Sequence, residues 1–284
     1  MGTVIILNDA DFSASNLGKV TILPNKREMI NQIVESYYTK TGDIGYESAI
    51  RTLVSELVNK NLWEKVKVLY PLLGTTLAQQ SVDLTGTHDI VPLANASAVT
   101  NGMFFNNQIG IGNIENAQPS AVVDFQKRML SIWINKNRTT NGSYLWKNTE
   151  TLGVGTVSSN SAAYLRDGYL KASVATLYPI VISNSDLKGI YINGSNGVVK
   201  VFNNGVVSEV AFNTTNYSKT DEGDCNIYPY FGGSYSTDTE EGAALETPNA
   251  SLTNGTLKFY GEAELDTPEE AVLLDSIYRD FCEK

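Results

Sequence analysis

Three carboxylates near the end of the chain have a spacing that could support acid–base chemistry. They are Glu264, Asp266 and Glu269, in the pattern E-x-D-x-x-E. Glycoside hydrolysis uses two carboxylates that flank the scissile bond, about 5 Å apart in retaining enzymes. Pro268 falls inside the pattern and cannot donate to a sheet ladder, so one strand cannot carry all three acids. We therefore interpret them as the exit of a strand followed by the first turn of a helix.

Histidine and cysteine are too scarce for the other common catalytic sites. His88 is the only histidine and stands in a polar turn at residues 85–89. A Ser-His-Asp, Cys-His or His-metal site would have to use it. Cys225 and Cys282 are the only cysteines, which excludes a zinc site and indicates a reducing compartment rather than a disulfide framework. We predict no catalytic residues, no metal site and no enzymatic activity.

The stretch 213–256 is polar, acidic and rich in glycine, and it carries the candidate ligand-binding residues. Tyr217 and Tyr235 offer rings on which sugars stack, and Asp221 and Asp224 offer oxygens for sugar hydroxyls. The two aspartates, like the acids at 238–241, could also bind Ca²⁺. Neither group has the spacing of an EF-hand loop, and a solvated acidic loop is the alternative.

Charge and hydropathy restrict the classes of partner that the chain can bind. The 284-residue chain has 31 acidic and 21 basic residues, a net charge of -10. This balance disfavours nucleic acid, which needs clustered Lys and Arg, and it suits solubility in an assembly. No apolar run approaches the ~20 residues of a membrane span, so we predict no membrane insertion. Residues 1–7 lack the basic start of a signal peptide and are interpreted as a first strand.

Residues 1–74 are predicted to form a strand and a helical module. Helical periodicity groups Met29, Ile30, Ile33, Val34 and Tyr37 into one apolar stripe. A second stripe lies between residues 50 and 57. A third helix is predicted over residues 61–70, with the basic run at 60–67 as its solvent-facing side.

From residue 75 the periodicity changes to two, which predicts strands over residues 75–284. Leu130, Ile132 and Ile134 share one strand face. Asn193-Gly194 and Asn204-Gly205 predict tight hairpin turns, and residues 225–231 predict a central strand. The remaining predicted strands are 144–147, 177–183, 190–193, 198–202 and 206–212. Many short strands with polar turns favour a mainly β protein, a two-sheet antiparallel jelly-roll sandwich.

A C-terminal helix is predicted to close the sandwich. Thr267 can cap the N–H of Glu270, and Pro268 suits the first helical position. The apolar face of this helix consists of Leu274, Ile277, Tyr278 and Phe281.

The order of these motifs resembles a known fold family. The segments 129–134 (MLSIWI), 190–194 (IYING), 231–233 (FGG) and 257–260 (LKFY) resemble laminin-G-like, concanavalin A-like domains. Residues 8–19 and 62–74 look like the N-terminal module of lectin-fold virion proteins of tailed phages and prophages of gut bacteria. The E-x-D-x-x-E spacing resembles that of laminarinase-like glycosidases, which share the concanavalin-type sandwich.

The resemblance implies a non-enzymatic structural protein of a phage particle, in a tail or head appendage. Its implied partners are other virion proteins and host surface polysaccharide, and we expect a homo-oligomer. The implied location is the virion, assembled in the bacterial cytoplasm. The alternatives are a glycoside hydrolase on the same fold and a bacterial glycan-binding protein outside any phage.

Overall fold

The chain folds mainly into antiparallel strands with a few helices. The computed structural model describes residues 25–86, 89–92, 96–105, 111–112, 121–124, 127–138, 144–147, 152–156, 162–167, 177–181, 187–193, 198–211, 224–227, 230–231 and 254–284. Within these ranges no helix combines the length and the apolar character needed to cross a membrane.

The helices are α1 (Lys26–Thr41), α2 (Glu47–Asn59), α3 (Leu77–Gln80) and α4 (Pro268–Cys282), and a 3-10 turn spans Trp63–Lys65. The strands are β1 (Val66–Tyr70), β2 (Val91–Pro92), β3 (Ser97–Val99), β4 (Gly102–Phe105), β5 (Ile111–Gly112), β6 (Ala121–Asp124), β7 (Arg128–Arg138), β8 (Tyr144–Lys147), β9 (Leu152–Thr156), β10 (Ala162–Asp167), β11 (Leu177–Val181), β12 (Lys188–Asn193), β13 (Val198–Asn203), β14 (Val206–Ala211), β15 (Asp224–Ile227), β16 (Tyr230–Phe231) and β17 (Asn254–Glu264).

The first two predicted helices are confirmed. Asn25 caps α1 by accepting the N–H of Glu28, which satisfies one of the free donors at a helix start. The predicted stripe of α1 buries Val34 and Tyr37. In α2 the apolar side is buried from Ile50 to Val58, so both helices are held by tertiary packing of one face.

The predicted third helix is wrong. Residues 66–70 form β1, which pairs antiparallel with β17, and only the turn before it is helical. Leu62, Val66 and Leu69 fit a helical spacing, but Val66, Val68 and Tyr70 also alternate as a strand. β-Branched and aromatic residues favour the strand once a partner edge exists. The basic run at 60–67 is therefore not the outer face of a helix.

Within the described residues the strands form three antiparallel sheets. The largest has eight strands in the order β14-β13-β12-β7-β17-β4-β3, with β1 also paired to β17. A seven-stranded sheet has the order β11-β10-β9-β8-β16-β5-β2, and β15 pairs with β6 alone. The predicted central strand at 225–231 is thus two strands in different sheets. Pro229 stands between them in sequence, and proline lacks the N–H that a continuous ladder needs.

The predicted hairpins β12–β13 and β13–β14 are confirmed. Asn204 and Gly205 have φ values of 49° and 76°, the positive pair that a type I′ turn requires. Asn193 pairs with Val198, as expected for a hairpin of the predicted strands 190–193 and 198–202, and Gly194 lies outside the described residues. This register leaves residues 194–197 between the two strands.

One face of the largest sheet packs against the helices. The Phe259 ring of β17 lies 4.9 Å from the Tyr278 ring of α4, centroid to centroid. Met129, Tyr191 and Phe202 from neighbouring strands join the same buried cluster. Residues in register share a side of the sheet, so Tyr70, Tyr260 and Ile132 lie on the opposite face.

The C-terminal helix begins as predicted. Thr267 accepts the N–H of Glu270, and Pro268 occupies the first turn. Leu274, Ile277 and Tyr278 are buried on its inner side. Phe281 is only partly buried and touches the cluster from its margin, with its ring 6.0 Å from Phe259.

Candidate functional site

The ligand-binding residues predicted from the sequence lie mostly outside the described residues. This holds for Tyr217, Asp221 and Tyr235, and also for His88. Asp224 is the first residue of β15, where it pairs in register with Asp124 of β6. The proposed sugar and Ca²⁺ ligands therefore remain predictions. Among the described side chains, no group of three His, Cys, Asp or Glu residues is arranged to hold a metal ion.

The first charged cluster lies where β17 passes into α4. The carboxylate of Asp266 lies 2.7 Å from Lys65 Nζ and 3.0 Å from Lys127 Nζ. Hydrogen bonds from Lys65 and then Lys127 hold the pKa of Asp266 below its usual range. Glu270 completes the cluster, because one oxygen binds Lys65 at 2.6 Å and the other accepts the N–H of Asp266 at 2.9 Å.

The three acids of the E-x-D-x-x-E motif have different surroundings at this junction. Glu264 ends β17 with its carboxylate 3.8 Å from Lys67 Nζ. Glu269 is exposed in the first turn of α4, where a negative charge meets the positive end of the helix. Two of the three acids thus pair with lysines of the 65–67 segment, and the third is a helix-terminal charge. These placements fit the interpretation of a strand exit followed by a helix start.

A second charged cluster is buried in the largest sheet, and sequence reasoning missed it. Arg128 on β7 donates through Nη2 to Glu262 on β17, and the Tyr260 hydroxyl donates to the other oxygen of the same carboxylate. The side chains of Arg128 and Glu262 are 0% exposed. Burial raises the pKa of Glu262, and the Arg128 charge opposes that rise. The Tyr70 ring stacks on Tyr260 with centroids 6.0 Å apart.

Only part of this buried cluster could be inferred from the sequence. Tyr260, Glu262 and Glu264 alternate along one strand, so a shared face can be inferred. The partner cannot be inferred, because Arg128 lies diagonal to Glu262, two residues along β7 from Leu130, the register partner of Glu262. Some glycosidases use a tyrosine nucleophile, but a substrate would need access that these buried side chains do not offer. The arrangement instead satisfies a buried charge with a cation and a hydroxyl.

A third group surrounds Asp275 of α4, which is 3% exposed. Burial raises its pKa to about 6, against the opposing charges of Arg279 and Lys188. Lys188 of β12 is itself buried and donates to the side chain of Asn203 on β13. This group therefore links the last helix electrostatically to the sheet beneath it.

No protein-family model matches the chain, and no curated protein matches it in sequence. Solved structures do share its fold. A mutant of the Trypanosoma rangeli sialidase displaying trans-sialidase activity has a TM-score of 0.54 at 14% identity, over 91% of this chain and 40% of the sialidase chain. The binding domain of Paraclostridial Mosquitocidal Protein 1 has a TM-score of 0.50 at 12% identity, over 76% of this chain and 53% of that one.

These likenesses concern the fold alone, and the chain spans about half or less of the length of each neighbour. They nevertheless correct one prediction. The absence of enzymatic activity was inferred from the lack of a catalytic motif, and the fold comparison contradicts it, because the matching sialidase is an enzyme. The comparisons are consistent with a β sandwich, and neither involves a phage protein.

Proposed function

We propose that this protein is a glycan-binding β-sandwich protein, with the two larger sheets stacked as a concanavalin A-like jelly roll. The observation that carries the proposal is the likeness to a sialidase over 91% of the chain. In such sandwiches the ligand site is formed by loops at one edge or by the concave face of a sheet. One face of the largest sheet is buried against the helices. In the proposed jelly roll, the opposite face of this sheet packs against the seven-stranded sheet.

The proposed binding residues are Tyr217, Tyr235, Asp221 and Asp224. Of these four residues, Asp224 is the one that the structure describes, as the first residue of β15. Tyrosine rings stack on sugar faces, while carboxylates accept hydrogen bonds from hydroxyls. Ca²⁺ held by the two aspartates is part of this proposal.

The test is a screen of the full chain against host surface polysaccharides and an oligosaccharide array. Tyr217→Ala and Tyr235→Ala should weaken any binding found, whereas Tyr217→Phe keeps the stacking ring and should retain it. Repeating the screen with EDTA tests the Ca²⁺ component. A chain that binds no glycan, even when displayed in many copies, would refute the proposal.

The second candidate function is glycoside hydrolysis on the same fold, favoured by the likeness to a sialidase. The assay is release of free sugar from sialylated oligosaccharides and from β-glucan. Glu264 is partly exposed at the end of β17, so its carboxylate could reach a substrate. The Glu264→Gln variant removes that carboxylate and tests whether the E-x-D-x-x-E motif is the source of any activity. Loss of cleavage in a folded Glu264→Gln variant would assign the activity to the motif.

We propose further that the protein is a homo-oligomeric component of a phage particle, in contact with other virion proteins. Support comes from the resemblance of residues 8–19 and 62–74 to the N-terminal module of phage lectin-fold proteins. Mass spectrometry of purified particles tests this location. Absence from particles, with a bacterial rather than a phage gene neighbourhood, would favour a bacterial glycan-binding protein.

A further inference from the structure

A groove of about 580 Å³ opens between the start of α1 and the end of α2. Its lining residues are Lys26, Arg27, Ile30, Asn31, Arg51, Ser55 and Asn59. The start of α1 lies close to the end of α2, and Lys26 Nζ donates to the carbonyl oxygen of Asn59 at 3.2 Å. The volume falls within the range of small-molecule sites, which is about 300–1,000 Å³.

The lining of the groove is rich in cations, of which Arg51 is ion-paired with Glu47 while Lys26 and Arg27 supply the remaining positive charge. Three of its lining residues are cations and none is an acid, although the net charge of the whole chain is -10. Lys26 donates to the Asn59 carbonyl and to Asn61 Oδ1, which are neutral partners, and no described acid forms an ion pair with it. Arg27 is exposed and forms no ion pair with any residue that the structure describes.

Arg51 is held in place across the groove. Its Nη1 donates to Asn31 Oδ1 at 2.7 Å, and its Nη2 donates to Glu47 at 3.0 Å. The guanidinium is therefore oriented before any ligand arrives, which lowers the ordering cost of binding. Asn31 and Asn59 add amide groups that can exchange hydrogen bonds with hydroxyls.

We infer that this groove binds the carboxylate of an acidic saccharide. Arginine pairs with carboxylates through two parallel N–H donors, and such charge-assisted bonds are stronger than neutral ones. The amides beside the cations suit the hydroxyls of a sugar ring, which a simple inorganic anion lacks. The inference rests on the proposed glycan-binding function for its ligand class, and it adds a site on the helical part of the chain.

The experiment uses the ¹⁵N-labelled full chain and two probes that differ only in the carboxylate. Methyl β-D-glucuronide should shift the Arg27 and Arg51 side-chain Nε–Hε signals saturably, and methyl β-D-glucoside should not. Arg27→Ala should weaken glucuronide binding about tenfold, which corresponds to the loss of one charge-assisted bond. Lys284→Ala removes an exposed cation outside the groove and should leave the affinity unchanged.

Each outcome decides between the two proposals. Equal shifts with glucuronide and glucoside, equal shifts with inorganic phosphate, or an unchanged affinity in Arg27→Ala overturns the acidic-saccharide site. If the array then still shows bound glycans, the proposed glycan-binding function is retained and its site lies outside the groove. If the array shows no glycan while glucuronide titrates the arginines, the groove stands and the proposed function fails.

Discussion

At the scale of single residues, the buried ionisable side chains contribute most to the pH dependence of stability. Asp275 has a raised pKa of about 6, against an ordinary value of about 3.9. Its protonated form is favoured in the folded state. The stability from this preference is fully present below the unfolded pKa and is lost as the pH rises through 6.

Asp275→Asn should therefore stabilise the protein at high pH. The variant keeps the shape of the side chain and removes the charge, so we expect a gain of about 2–3 kcal/mol in unfolding free energy at pH 8. The two proteins should converge near pH 4. Urea unfolding from pH 4 to pH 8 measures this, with the exposed Asp280→Asn of the same helix as the control. A gain that is independent of pH would contradict the assignment.

Arg128 and Glu262 should behave as a coupled pair. Arg128→Met leaves a buried carboxylate without its cation, and such a loss costs about 3–5 kcal/mol. Adding Glu262→Gln to that variant removes the unpaired charge and should recover much of the loss. A double-mutant cycle in denaturant measures the coupling. Additive costs of the two changes would show that the pair is not the source of the effect.

At the scale of elements, the start of α4 can be tested at its cap. Thr267 accepts the N–H of Glu270 at 3.2 Å, and loss of such a cap costs about 1 kcal/mol. We expect that loss in Thr267→Ala, whereas Thr267→Ser should keep most of the stability. Thermal unfolding of the three proteins provides the comparison. Equal losses in the alanine and serine variants would indicate a role for the methyl group instead.

Gly261 tests how closely β17 meets α4 and β1. A Cβ at this position would lie 3.1 Å from Tyr278 Cε2 and 3.2 Å from Leu69 Cδ1. Both neighbours are buried, so they have little room to move. Gly261→Ala should destabilise the protein by about 1–3 kcal/mol through overpacking. Gly86→Ala serves as a comparison, because a Cβ there meets nothing within 4 Å, although its φ of 78° adds local strain.

Elements with a strong local signal were predictable from sequence. The stripes of α1 and α2, the Asn204-Gly205 turn and the Thr267 cap are all set by neighbouring residues. The errors arose where distant partners decide. Residues 66–70 form a strand because they pair with β17. Glu262 binds Arg128 of the neighbouring strand β7, a contact that depends on the register between the two strands. Tyr217 and Tyr235 were chosen from composition alone, which does not give the positions of side chains relative to one another.

At the scale of the whole molecule, two kinds of binding surface are proposed on one acidic body. In these proposals Tyr217 and Tyr235 bind neutral sugars, and the α1–α2 groove binds an acidic one. Salt should affect them differently, because screening weakens exposed charge interactions while stacking is largely unaffected. Raising the salt from 50 mM to 500 mM should therefore weaken glucuronide binding to the groove more than neutral-glycan binding to the loops. Equal losses in a calorimetric titration would contradict this division.

Binding by a single copy should be weak, and display in several copies should make it useful. A loop site with a few stacked rings and hydrogen bonds is expected to have a Kd of roughly millimolar to micromolar. Joining copies raises the effective concentration of the second site, and the apparent affinity can rise about 10²–10⁴-fold without any new contact. Surface plasmon resonance on immobilised polysaccharide should show this gain for a chain fused to a dimeric or trimeric scaffold. The same fusion carrying Tyr217→Ala and Tyr235→Ala is the matched control, and it should lose the gain because the scaffold itself binds nothing. Nanomolar binding by a single copy would contradict the argument, since affinity from one site would then leave no physical need for the assembly that the proposed particle location supplies.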